Sequence, residues 1–167
     1  FRSGYTTSST KNNGNITVSS SSAGTVNYGY IKFPLSGIPS GAVVSSATLS
    51  LTNNSSPSLS GVTNNIRALG NNDPTSASAA TLFSAIPSGT IYNSGTWSNS
   101  GTISLTLNAT ANSDIQSRIS SPGYLALGLE RGAGTAFYYF YGYGNGTNSP
   151  KLSVVYTGPR QLAVSVA

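Results

Sequence analysis

The sequence predicts an all-β protein, an antiparallel β-sandwich with one short helix near residues 109–119. Three observations carry that reading. From Val43 to Thr52, Ala47, Leu49 and Leu51 alternate with Ser46, Thr48 and Ser50, the half-buried pattern of an antiparallel strand with one face packed on a second layer. Similar short runs recur along the chain, divided by clusters of Gly, Pro, Asn and Ser that mark turns. The best helical spacing lies in Asn108 to Ile119, where Ala111, Ile115 and Ile119 stand four apart behind an N-cap at Asn108 or Thr110.

In chain order, Tyr5 to Gly14 is polar and Gly-bearing and reads as a loop into a short strand, Ile16 to Val18. Val26 to Phe33 follows, with Tyr28, Tyr30 and Lys32 on one face and Ile31 and Phe33 on the other. Pro34, Gly37, Pro39 and Gly41 build the turn into Val43 to Thr52, and Phe33, Leu35 and Ile38 pin that turn to the core. After Pro57 and Gly61 comes a strand over Val62 to Leu69, closed by Asn71, Asn72, Asp73 and Pro74. Ser76 to Ile86 has helix-compatible spacing and reads as a short helix or a turn.

Thr90 to Trp97 and Gly101 to Leu107 are short strands, and Trp97, the sole tryptophan, is expected to fill core volume. The helix after Asn108 is too short to form a layer and plugs one end of the sandwich, stopped by Pro122 and Gly123. Tyr124 to Leu129, Phe137 to Tyr143 and Lys151 to Tyr156 are further strands. In the FYYFYGY run, Phe137, Tyr139, Tyr141 and Tyr143 share one face and Tyr138 and Phe140 the other, with Phe137 and Phe140 assigned to the core. Gln161 to Ala167 alternates Leu162, Val164 and Val166 with Ala163 and Ser165, a strand with no partner in the chain order.

At 167 residues the chain fits one domain, and a domain of this size buries roughly 70% of its unfolded surface. The expected division is one sandwich over 1–158 and an extension over 159–167, a donor or swapped strand. Charged residues make up only 7% of the chain, so Ser, Thr, Asn and Gly solvate the surface. Low Lys with abundant Ser, Thr and Asn points outside the cell. Phe1 is no native start, which makes the chain a cleavage product or a piece of something longer. No run of 18 apolar residues occurs, hence no membrane span is expected.

Cys, Met and His are absent, which removes thiol chemistry, soft metal ligation and imidazole catalysis. Three carboxylates, Asp73, Asp114 and Glu130, lie in a turn, a helix and a strand end, without the pairing a glycosidase needs. No spacing locates a calcium site. The expectation is therefore a non-enzyme with no cofactor and no metal. The net charge of +5 favours anionic partners such as acidic glycans. The basic residues are scattered from Arg2 to Arg160 without the cluster a nucleic-acid binder shows, so no nucleic-acid partner is expected. Five Asn-x-Ser/Thr sequons, at Asn15, Asn53, Asn54, Asn108 and Asn145, are no more than chance yields in such a composition, though they permit N-glycosylation outside a cell.

GYIKFPLSGIPSGAVVSSATLSL, between Gly29 and Leu51, resembles the DNRLRE-type domains, secreted bacterial and archaeal modules related to a family of carbohydrate-binding modules. The shared pattern is an aromatic-x-Lys/Arg-Phe strand, a Leu-Ser-x-Ile-Pro-x-Gly turn and a Ser-Ala-Thr-Leu-x-Leu strand. Leu107 to Thr110 with Ile115 is similar to the family's strand-to-helix step, and Tyr124 to Leu129 and Pro150 to Tyr156 to its closing strands. The resemblance implies a jelly-roll-like sandwich outside the cell. Against the family pattern the chain looks one strand short at its start and one strand too long after Gly158.

Two functions follow as expectations. The first is a structural subunit or repeat of a filament or surface layer, in which Leu162, Val164 and Val166 fill the incomplete sheet of a neighbouring copy or domain. The second is a carbohydrate-binding module whose Tyr139, Tyr141 and Tyr143 stack on a polysaccharide.

Overall fold

A computed structural model of the chain describes residues 2–20, 23–55, 62–132 and 137–158. It contains eleven strands and two α-helices in the order β1 (Arg2–Thr6), β2 (Lys11–Asn13), β3 (Ile16–Val18), β4 (Tyr28–Pro34), β5 (Val43–Ser55), β6 (Thr63–Ala68), α1 (Ala79–Ser88), β7 (Ile91–Thr96), β8 (Thr102–Thr106), α2 (Ala109–Arg118), β9 (Tyr124–Arg131), β10 (Tyr138–Phe140) and β11 (Lys151–Thr157). All pairings are antiparallel, and they form two sheets. The first runs β2-β1-β4-β9-β6-β7. The second is built on β5, which pairs with β8, β10 and β11, while β10 also pairs with β3.

Alternation along the strands makes the core. Ile31 and Phe33 of β4, Leu125, Leu127 and Leu129 of β9, and Ile66 of β6 face Ala47, Leu49 and Leu51 of β5, with Ile16, Val18, Tyr138 and Phe140 beside them. Trp97 lies in the same core, 4% exposed, edge-on to Tyr138 and Phe140 at centroid distances of 5.6 and 5.9 Å. Helix α2 closes one end of this core through Ala111, Ile115 and the following Ile119. Asn108 caps it by accepting the Ala111 N–H at 3.1 Å. Gly123, at φ +75°, donates back to the Arg118 carbonyl at 2.9 Å.

Two sequence expectations change, and a third, helix or turn at Ser76 to Ile86, is decided. The Tyr5 to Gly14 stretch is not a loop. Gly4, Tyr5 and Thr6 of β1 pair with Asn13, Asn12 and Lys11 of β2, and all of β1 pairs with β4, so the stretch forms a hairpin of the first sheet. Ser76 to Ile86 resolves into α1, capped by Ser78, whose side chain accepts the Thr81 N–H. The Phe137 to Tyr143 strand ends at Phe140, and Phe137 is only half-buried, stacked on Tyr139 at 5.8 Å between centroids.

Helix α1 covers the outer face of the first sheet. Leu82 and Ile86, four apart on the helix, pack on Tyr30, Leu69 and Ala126 in a second, smaller core. This close seat requires Gly128 of β9, where a Cβ would stand 2.7 Å from Ile86 Cγ1. Gly128→Ala is therefore expected to displace α1 and cost about 1–3 kcal/mol, read as a lower urea midpoint. An unchanged midpoint would mean that the helix is not held against β9.

Candidate functional site

Each sheet ends in edge strands, β2 and β7 in the first and β3, β8 and β11 around β5 and β10 in the second, and β11 is the edge that carries an apolar groove. Thr48, Leu49 and Ser50 of β5 pair with β8 and with β11 at once, so β8 and β11 flank β5 on opposite sides. Tyr141 N donates to Thr52 O at 3.0 Å while Asn53 N donates to Gly101 O at 2.9 Å. Successive residues of a strand aim their hydrogen bonds to opposite sides, so the segment carrying β10 and β11 runs along one side of β5 and β8 along the other. Strand β3 covers the far side of β10. Among the described residues, β11 pairs with β5 alone.

A strand left open in this way still has inward side chains that want cover. Leu152 and Val154 are opposite Leu49 and Ala47 and touch the core, yet both stay only half-buried. With Phe33, Pro34, Leu35, Gly37 and Ile38 they line a groove of about 280 Å³. The Pro/Gly turn that follows β4 thus forms one wall, held by Leu35 N to Gly123 O and Ile38 N to Leu35 O, both 2.9 Å. Outside the groove, Val155 is 60% and Tyr156 37% exposed. The side of β11 that pairs with no strand among the described residues and the apolar groove together offer what an added strand uses, a hydrogen-bonding edge and pockets for alternate side chains.

Leu162, Val164 and Val166 lie outside the described residues. The three tyrosines do not form one row. Tyr139 is 38% exposed on β10, Tyr141 is half-buried, and Tyr143 is 54% exposed in a turn past the end of β10. Gly142 N donates to Asn15 Oδ1 at 3.0 Å and Tyr143 N to Ser3 Oγ at 2.7 Å. Of the sequon asparagines, Asn53, Asn108 and Asn145 donate their amide nitrogens to the carbonyls of Gly101, Ile91 and Gly142. Asn15 and Asn54 are exposed, with no such donation among the described residues.

Several of the charged groups serve the scaffold. Lys32 bonds Asp73 at 2.7 Å and lies 4.3 Å from the Tyr124 ring centre. Arg67 bonds Glu130 at 2.6 Å, and Asn65 donates to the same carboxylate oxygen. Tyr92 donates to Asp114, and burial first, then that carboxylate, raises the phenol pKa. Burial likewise pushes Tyr30 up to about 12, with its hydroxyl held by Asn12 O and Asn13 Oδ1 at 2.8 Å. The described residues contain no group of three His, Cys, Asp or Glu able to hold a metal, and no helix long and apolar enough to cross a membrane.

No protein-family model matches the chain. No curated protein matches it in sequence.

For Asp73, burial acts to raise the pKa, but hydrogen bonds from Lys32 and Thr75 overcome it and bring the carboxyl below the usual 3.8. A lowered folded value adds stability above the unfolded pKa, and that stability is lost as pH falls through the folded one. Because the Asp73 side chain is 25% exposed, the contribution is at most about 1 kcal/mol. Asp73→Asn should thus be less stable than the parent at pH 7, with the gap closing as the pH falls through the lowered carboxyl pKa, measured by urea titration. A gap that persists in acid would assign the effect to the Thr75 turn instead of the charge.

Proposed function

We propose that this chain is a non-enzymatic extracellular structural protein, a subunit or repeat of a filament or surface layer whose neighbours join by strand addition. The observation that carries the reading is the open edge of β11 with its apolar groove. Residues 161–167 supply a fitting donor, because they number seven, as does β11, and place Leu162, Val164 and Val166 at alternate positions. The acceptor is the β11 edge of another copy. It is not a gap at the start of the first sheet, since β1 occupies that place.

Magnitudes say which interaction decides. Burying three aliphatic side chains contributes about 5–9 kcal/mol, while ordering seven backbones costs about 7–14 kcal/mol. Apolar burial alone does not close that gap. Ladder hydrogen bonds at about 0.5–1.5 kcal/mol each tip the balance, which is why the partner must offer an unpaired edge and not merely a greasy surface.

The resemblance to DNRLRE-type domains supports an extracellular β-module of this kind. The absence of His and Cys and the tying of each carboxylate to a separate partner support a non-enzymatic role. The second reading, a carbohydrate-binding module, rests on the exposed Tyr139 stacked on Phe137. Loss of affinity-gel retention on a polysaccharide in Tyr139→Ala would favour it.

Removing residues 160–167 is expected to abolish filaments in electron micrographs while leaving the circular dichroism and melting of the sandwich intact. Val154→Lys, which puts a charge into the groove, should block assembly even with the donor present. Filaments formed by either variant, or a full-length chain that stays monomeric at every concentration, would overturn the proposal.

A further inference from the structure

A second site lies in the core itself, and it does not depend on the assembly reading. Arg131 closes β9 on its inward face, in line with Leu125, Leu127 and Leu129, and is 4% exposed. Among the described residues its Nε and Nη1 have no hydrogen-bond partner. The guanidinium lies 5.2 Å from the Tyr138 ring centre. Trp97 also packs on that ring, accepts the Tyr138 hydroxyl on its carbonyl at 2.9 Å, and has an Nε1 without a partner among the described residues. Asn64, fully buried and opposite Arg131 in the β6–β9 ladder, gives its amide nitrogen to Val62 O and leaves Oδ1 unpaired.

A guanidinium keeps its proton at any physiological pH. A buried, unpaired charge is among the most costly features a fold can hold, and a neighbouring aromatic face compensates it only in part. The chain has three side-chain carboxylates. Asp73 serves Lys32, Asp114 serves Tyr92, and Glu130 serves Arg67 on the opposite face of β9. None reaches Arg131. Among the described residues the unpaired donors at this end are two on Arg131 and one on Trp97, and the unpaired acceptors, on Asn64 and on Asn53 beside Phe140 and Ser98, are neutral amide oxygens, so the group that completes the site must bring negative charge.

We propose that this end of the sandwich binds one small monovalent anion, held by Arg131 and Trp97 beside Tyr138. Aromatic walls make dehydration part of the cost of entry, which favours a weakly hydrated anion such as bromide or nitrate over a dianion such as sulfate. The anion then acts as a structural counter-ion, taken up on folding and released on unfolding.

Bromide is the probe. Titrated into the full chain at constant ionic strength against a bulky organic sulfonate, it should raise the melting temperature along a saturating curve, lowering the unfolding equilibrium constant about 100-fold at 100 times its dissociation constant. Arg131→Met should lose that response. A bromide-soaked crystal of the unaltered protein should show an anomalous peak in contact with the Arg131 guanidinium, a result independent of how well the variant folds. No peak at Arg131, or an equal bromide response in the variant, overturns the proposal.

Discussion

Strand β5 is the constraint on which the second sheet depends. Its thirteen residues pair with β8 on one side and with β10 and then β11 on the other. Ala47, Leu49 and Leu51 all point inward from it and are fully buried. Because side chains alternate strictly along a strand, a one-residue slip of β5 would turn those three outward and bring Ser and Thr into the core. The register is protected from that slip by burial on one face and by hydroxyls on the other, including the Thr52 and Thr102 pair at 3.0 Å.

The same strand explains why an edge is left open. On the β8 side the chain runs through α2 and into the first sheet. On the other side β10 is covered by β3, whose three residues end at Val18, and the ladder beside β11 has no continuation among the described residues. Edge strands usually guard themselves with charges, brevity or bulges. Short β2 does so with Lys11, whose Nζ bonds Pro74 O and Ala77 O. By contrast β11 has Lys151 at one end only, a register shift between Val155 and Tyr156, and an apolar groove along its inner margin. An edge so weakly guarded is a hazard for a free monomer and an asset for a chain that adds strands.

Most of the β-framework was legible because its buried positions are apolar and alternate. The stretch from Tyr28 to Leu51 shows this best, with Ile31, Phe33, Ala47, Leu49 and Leu51 all inward as their spacing demands. Strand β1 was hidden for the opposite reason. Its buried positions are Ser3, Gly4 and Thr6, and polar groups there are satisfied by bonds such as Ser3 Oγ to Gly14 O at 2.8 Å and Thr6 Oγ1 to Ala79 O at 3.1 Å. No hydrophobic period betrays such a strand. The early end of β10 follows from Gly142, whose missing Cβ would stand 1.7 Å from Gly14 O. Gly142 itself was the available signal for that close approach. The groove beside β11 depends on which strands stop short of one another, and the unpaired Arg131 on where three distant carboxylates find their partners. Neither is a property of any local window of sequence.

Strand addition at β11 is tested most directly by hydrogen exchange at the backbone amides of Leu152 to Tyr156, compared across protein concentration in the full chain. The account predicts that those amides facing away from β5 exchange quickly in dilute protein and become protected as assembly sets in, with the amides facing β5 protected throughout. Equal protection at all concentrations would contradict it, because the edge would then be closed within a single chain or never closed at all.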